Sequence, residues 1–239
     1  MIFAAGLGTR LKPLTNKMPK ALVPFQGKPL LRHAIEYLSG FGVQSFVINV
    51  HHFADQIINY LSSENFSEFE IVISDERTKL LDTGGALLKA SSLLDSNEPF
   101  ILYNADVITN LNLSEMMDWH RQKGGLASLA VRKRVSSRYL LMDGDNSLVG
   151  WRNVKSGKSI MAREVLNFSD RAFSGIHIVE PKLLRMLEDR GAFPIIPAYL
   201  KLASTQPILC YDHSDGYWFD MGKAESFEAA KEKLNSEGK

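Results

Sequence analysis

Apolar positions along the first half of the chain come in two rhythms. "IFAA" near the start is a short unbroken apolar run, and "SFVINV", "FEIVI", "PFILYNAD" and "LASLAVR" repeat the pattern further on. Between them lie segments with helical spacing. In "PLLRHAIEYLSG", Leu30, Leu31, Ala34, Ile35 and Leu38 share one face, and Gly40 and Gly42 end the pattern. "ADQIINYL" aligns Ile57, Ile58 and Leu61; "GGALLKASSLL" reads as a helix, and Ser114 as the cap of "EMMDWHRQK". Strands without a polar face, each followed by a helix, imply a parallel sheet covered on both sides. Ligands of such a sheet sit at the carboxyl ends of its strands. The glycines after "IFAA" and the "NAD" closing the fourth strand both fall there.

From about Arg132 the rhythm changes. "YLLMDGDNSLVGW" predicts a hairpin around Asp-Gly-Asp-Asn, "AFSGIHIV" a strand, and "PKLLRMLED" and "FPIIPAYLKLAS" helices, with Pro181 suited to a helix start. "PILCYD" and "GYWFDM" read as strands and "AESFEAAKEKL" as a last helix. The expected fold is α/β: a Rossmann-like three-layer αβα sandwich with a mixed, mainly parallel central sheet that the C-terminal extension shares.

Composition narrows the function. With 239 residues, 45% of them hydrophobic, the chain has material for a sizeable core. Twenty-eight Lys and Arg against 27 acidic residues leave a net charge of +1, too little excess for a general nucleic-acid surface. The single Cys210 excludes an internal disulfide and any multi-cysteine zinc site, and reads as a core residue. No apolar stretch reaches the ~20 residues of a membrane helix, and "MIFAAGLG" lacks the basic leader of a secretory signal. A cytoplasmic protein with no membrane partner is expected. The first strand begins at the first residue, so a residue or two is expected to be missing ahead of it.

The cations near the N-terminus therefore need a local explanation. Gly6 and Gly8 follow the first strand, and Arg10, Lys12, Lys17 and Lys20 crowd behind them. Glycines there let backbone N–H groups approach phosphate oxygens. A dinucleotide fingerprint fails, because Leu11 stands where its third glycine belongs and Pro13 and Pro19 oppose a helix; nor does Gly-Lys-Ser/Thr follow these glycines, as a Walker loop would need. What remains is a proline-held loop whose Arg10 and Lys20 suit a ligand with several phosphates in sequence.

"AAGLGTRLKPLTNKMPKALVP" resembles the signature of the sugar-1-phosphate nucleotidyltransferases, the nucleotide-sugar pyrophosphorylases. "DTGGAL", "NAD", "FSGIHI" and "WFDMG" follow in that family's order, so the resemblance covers almost the whole chain. Among subgroups, "DTGGAL", "AFSGIHIVEP", "GAF" and "GYWFDMG" most resemble the short N-acetylmuramate-1-phosphate uridylyltransferases of cell-wall recycling.

The resemblance implies a single nucleotidyltransferase domain over 1–239, of the nucleotide-diphospho-sugar transferase type, with a nucleotide-binding half at 1–131 and a sugar-binding half at 132–239. It implies that a sugar-1-phosphate oxygen attacks the α-phosphorus of a nucleoside triphosphate and pyrophosphate leaves. That oxygen is already anionic, so the site must supply alignment and charge neutralisation rather than a base. Arg10 is expected to grip the departing phosphates, and Lys20 to lie between the α-phosphate and the sugar phosphate. Asp106 and Asp220 match the family's metal-holding aspartates, and two hard oxygen ligands completed by phosphate and water suit Mg2+. Nucleotide contacts are expected from Ala5, Gly6, Gly8, Thr9, Gly84 and Gly85, and ribose or sugar contacts from Asn104 and Gly175.

Some positions depart from the pattern. Asn104-Ala105-Asp106 replaces Asn-Gly-Asp, and "VGWRNVKSGKSI" stands where many relatives carry Glu-Lys-Pro, so neither Lys155 nor Lys158 is assigned to the sugar phosphate. A proline in "GAFPIIP" replaces a lysine of some relatives. His51 and His52 beside Asp55 are read as strand-end or helix-entry residues rather than a metal site, "YDHSDG" as a turn, and Trp218 and Phe219 as packing residues of the C-terminal strand, with a place for one of them in the sugar pocket left open. The base stays open, since guanine and uracil both present N–H donors that Glu76 could accept. Muramate, glucose, mannose and heptose phosphates, and a monomer or a homodimer, also stay open. Two other classes are weighed: a non-catalytic nucleotide-sugar sensor, which needs no paired carboxylates, and a dinucleotide oxidoreductase, which Leu11 opposes. The chain stops at Lys239 without a hexapeptide-repeat extension, so one activity is expected.

Overall fold

The computed structural model describes residues 1–63 and 66–237. The chain forms two compact units: Met1–Leu80, Tyr103–Asn110 and Tyr217–Lys239 make the first, Leu81–Leu102 and Leu111–Gly216 the second. Its class is the expected one, α/β with a mixed, mainly parallel central sheet flanked by helices.

In the first unit, Ile2–Phe3 lies between Ser45–Val50 and the end of Phe100–Asn104, parallel to both; Ile2 faces Ile48 on one side and Tyr103 on the other. Glu70–Asp75 extends the parallel set beyond Ser45–Val50. Five of the six residues of "SFVINV" are buried, as strands covered on both faces require. The helix Leu30–Ser39 buries Leu30, Leu31, Ala34, Ile35 and Leu38, the face read from its spacing. Each of the larger ones contributes about 1.5–3 kcal/mol by burial. Gly42, at φ 84°, turns the chain after it.

A second pairing in this unit matters more for chemistry. Val107–Thr109 pairs antiparallel with Trp218–Asp220, with Val107 opposite Asp220. The pair rests on a core of Leu11, Val23, Phe25, Leu30, Ile108, Met221 and Ala230, against which Phe219, Phe227 and Leu234 pack. The front loop, the turn after the fourth strand and the C-terminal helix Ala224–Glu237 thus share one apolar floor.

The second unit is mostly antiparallel. Its strands run Lys158–Met161, Leu148–Asn153, Arg138–Met142, Ser169–Val179 and Ala127–Arg132, and Ile208–Asp212 then pairs parallel with the last of these. The expected hairpin turns at Asp143, whose carboxylate accepts the N–H groups of Asp145 and Ser147. Two local readings need correction. The cap of Leu113–Lys123 is Asn112, not Ser114: its side chain accepts from the amides of Ser114 and Glu115, and Ser114 lies inside the helix. The helix expected over "PKLLRMLED" covers only Lys182–Met186, because Arg190 takes the carbonyls of Leu187, Glu188 and Asp189 and the chain leaves helical geometry at Leu187.

Candidate active site

The front loop is fixed from below. Ala4 donates its amide to Asn49 Oδ1 at 2.8 Å, and Asn49 Nδ2 donates to Glu76 Oε1 at 2.8 Å, with both side chains buried. Asn49 is the one polar residue among the five buried positions of Ser45–Val50, a signal that sequence reading passed over. His51 Nδ1 meets the Glu76 carbonyl at 2.7 Å, in keeping with a strand-end role.

Ala5 is buried and Gly6 exposed, with open space where a side chain would begin at Gly6. Beyond them the loop forms three single 3-10 turns, Thr9–Leu11, Leu14–Asn16 and Lys20–Leu22, in place of an α-helix. Gly8 has φ 63°, and its carbonyl accepts from Leu11 N and Thr15 Oγ1. A Cβ there would come within 2.8 Å of Thr15 Cγ2 and 3.0 Å of Lys20 Cβ, so the absent side chain makes room for Lys20.

Four charges converge in the first unit. Lys20 Nζ donates to Asp106 Oδ2 and lies 3.9 Å from Asp220 Oδ1, while Arg10 Nη2 reaches Asp220 Oδ2 at 3.4 Å. Lys20 and Asp106 are 13% and 19% exposed, Asp220 28% and Arg10 57%, so the cluster opens to solvent through Arg10. Gly222 N–H donates to Asp220 Oδ1 at 2.9 Å. A Cβ on Gly222 would lie 2.6 Å from Lys20 Nζ and 2.7 Å from both Arg10 Nη2 and Asp220 Oδ1. Gly222, which sequence reading gave no role, is the empty volume into which the charged ends point.

The two carboxyls are not equivalent. Burial raises the Asp106 pKa; Lys20 opposes that rise and Asp220 adds to it. Burial also pushes Asp220 upward, but Lys20, the Gly222 amide and Arg10 overcome it and hold this carboxyl low. Two hard oxygen donors side by side fit a magnesium ion. Among the described residues no third acidic, His or Cys ligand joins them, so phosphate oxygens and water would have to complete the shell.

Asn104 ends its strand in register with Phe3, half-buried, in the first unit. Gly84, Gly85 and Gly175 belong to the second. Gly84 and Gly85 open the helix Asp82–Lys89, and their amides both donate to the Phe193 carbonyl, at 2.8 and 3.2 Å. A Cβ at Gly84 would overlap the Phe193 ring, and one at Gly85 the Gly191 carbonyl. Thr83 Oγ1 also accepts the Ile195 amide, so "TGG" is the seat of the "GAFPII" segment. Gly175, at φ 76°, lies where the pairing of Ser169–Val179 slips register between Phe173 and His177.

Comparison with known proteins matches the chain to a family. The nucleotidyl transferase family model matches residues 1–237. Mannose-1-phosphate guanylyltransferase 1 of Arabidopsis thaliana is 31% identical over 232 residues, 95% of this chain; the chain spans 62% of that protein's length. N-acetylmuramate alpha-1-phosphate uridylyltransferase of Caulobacter vibrioides is 31% identical over 242 residues, covering 98% of this chain and 96% of that protein. Among solved structures, HddC from Yersinia pseudotuberculosis superposes with a TM-score of 0.78 at 24% identity, covering 98% and 97% of the two chains. An apo UDP-glucose pyrophosphorylase superposes at 0.77 and 19% identity, covering 100% and 98%. The structural matches share the fold, the sequence matches run from end to end, and the chain belongs to the nucleotidyl transferase family.

Proposed function

We propose that the protein is a sugar-1-phosphate nucleotidyltransferase, condensing a nucleoside triphosphate with a sugar 1-phosphate to give a nucleotide sugar and pyrophosphate. The observation that carries this reading is the convergence of Arg10, Lys20, Asp106 and Asp220 behind the glycine loop. A sensor that only bound a nucleotide sugar would not need two carboxylates held together beside two cations.

The triphosphate lies along Ala5, Gly6, Gly8 and Thr9. Arg10, the most exposed of the four charges, meets the departing β- and γ-phosphates. Lys20, fixed deeper by the carboxylates, neutralises the α-phosphate as the sugar phosphate oxygen attacks in line. Asp106 and Asp220 would hold Mg2+, which when bound would screen the phosphates and orient them. The attacking oxygen arrives ionised, so no residue needs to remove a proton.

For the substrate pair we infer UTP and N-acetylmuramate 1-phosphate, supported by the relative that matches this chain along nearly its full length. That reading makes the protein a cytoplasmic enzyme supplying a cell-wall sugar. A guanylyltransferase acting on mannose 1-phosphate is the second reading, supported by an equal identity. The deciding experiment crosses UTP, GTP, CTP, ATP and dTTP with N-acetylmuramate, mannose, glucose and heptose 1-phosphates, reading pyrophosphate with and without magnesium. Release confined to UTP and the muramate phosphate is expected; no release from any pair would end the proposal.

A further inference from the structure

The hydrogen-bond relay beneath the front loop ends on a side chain that the reaction above does not use. The first strand stops at Phe3, and the next amide, that of Ala4, donates to Asn49 Oδ1. Asn49 stands opposite Phe3 in the ladder and donates in turn to Glu76 Oε1. Glu76 follows directly on the strand Glu70–Asp75, and its main chain is tied on three sides. Its amide donates to the Val50 carbonyl at 2.7 Å, and its own carbonyl accepts the Lys79 amide at 3.0 Å and meets His51 Nδ1 at 2.7 Å. As an acceptor for the base, Glu76 is badly placed: it is 1% exposed and already bonded to Asn49.

The donor and acceptor types fix which way the relay points. A backbone N–H only donates, so the Asn49 atom facing Ala4 is Oδ1; Nδ2 is then left facing Glu76, where only an acceptor suits it. Glu76 thereby locks the Asn49 amide against a flip, and the locked Oδ1 sets where the chain departs for Ala5 and Gly6. Polar groups this deep are costly unless joined, and an apolar core would hold the three strand ends together without them. What an apolar core lacks is a directional bond at the residue where the loop begins.

We propose that Asn49 and Glu76 are a positioning pair for the nucleotide: they hold the backbone of Ala5 and Gly6 at the angle from which it meets the triphosphate, and neither touches the ligand. The inference rests on the reading of this chain as a nucleotidyltransferase and adds to it two residues of the first unit that act through the loop. Neither belongs to the cluster of Arg10, Lys20, Asp106 and Asp220. Their loss should therefore appear in nucleotide binding and not in the chemical step.

The test reverses the polarity of the pair. Asn49→Asp sets two acceptors against each other; adding Glu76→Gln restores one donor and one acceptor in swapped places, at the wild-type net charge. Binding of UTP and of GTP, each with magnesium, is measured by calorimetry, and KM and kcat are taken from pyrophosphate release. For the triphosphate that the wild type prefers, Asn49→Asp should weaken binding and raise KM by about tenfold or more. Its kcat and its KM for the sugar phosphate should stay within about twofold, and the double variant should bind within about threefold of the wild type. A role in stability alone would cut the apparent kcat and leave both KM values unchanged, and that result overturns the pair. A double variant that binds no better than Asn49→Asp overturns it too. If Asn49→Asp does not fold, the double variant decides: near-wild-type binding supports the pair, and a loss of about tenfold sinks it. Equal triphosphate binding by all three proteins ends this role alone; no binding by the wild type ends the enzymatic reading and takes the role with it.

Discussion

The amide of Met221 donates to the carbonyl of Asp106 at 2.8 Å, the last rung of the small ladder that sets Asp220 beside Asp106. Two aspartates distant in sequence become neighbours through backbone bonds, so their side chains can be changed without dismantling the frame. Asp106→Asn and Asp220→Asn should each lower magnesium-dependent pyrophosphate release by about two to three orders of magnitude. Circular dichroism should remain as in the parent. A double variant with unchanged magnesium dependence would overturn the metal assignment.

Lys20 faces both carboxylates from a position 13% exposed. Lys20→Ala should depress kcat by at least about a hundredfold, with the fold retained. Lys20→Arg should recover little, because a planar fork does not replace a compact ammonium between two acids. Near-normal turnover in the alanine variant would remove Lys20 from the mechanism.

Gly222 and Gly8 make a contrast. The backbone at Gly222 is outside the left-handed region, and the atoms crowding a Cβ there are the tips of Lys20, Arg10 and Asp220. Gly222→Ala should therefore fold with a melting temperature near the parent's while displacing those tips, and activity should fall about ten- to a hundredfold. Gly8 combines φ 63° with crowding from Thr15 and Lys20 Cβ. Gly8→Ala should destabilise by about 1–2 kcal/mol or more. Urea unfolding of both, beside their kinetics, checks the pair; equal destabilisation would contradict this reading of Gly222.

His177 is fully buried, its Nδ1 2.8 Å from the Tyr199 hydroxyl, and burial lowers its pKa to about 3. In the unfolded chain the ring titrates near 6.5. The contribution of the neutral ring is complete above about pH 6.5, and it declines toward pH 3 as only the unfolded state takes up the proton. Between pH 7 and pH 5 this one group should lower stability by roughly 1–2 kcal/mol. Urea melts at the two pH values should show that loss, and His177→Gln should lack it. An unchanged pH slope in the variant would show that His177 does not titrate on unfolding.

The parts legible in the sequence were those set by local periodicity. Leu30–Leu38 and "SFVINV" announce their burial through spacing alone, and the strand-then-glycine order places the loop at the carboxyl edge. The convergence of Lys20, Asp106 and Asp220 was reachable only through the family resemblance, because nothing local predicts that Val107 and Asp220 share a ladder. Gly222 was invisible for a related reason: its crowding comes from Arg10 and Lys20, some two hundred positions earlier. Asn112 was missed as a cap because two capping types stand close together, and the choice depends on which residue keeps extended backbone.

The ladder between Val107–Thr109 and Trp218–Asp220 also sets an order of events during synthesis. A nascent polypeptide that has emerged only as far as Gly216 already holds every residue of the second unit, yet it lacks Asp220 and the glycine after it. On the role proposed for Asp220, such an intermediate is catalytically silent until the last strand leaves the ribosome and closes onto a turn made more than a hundred residues before.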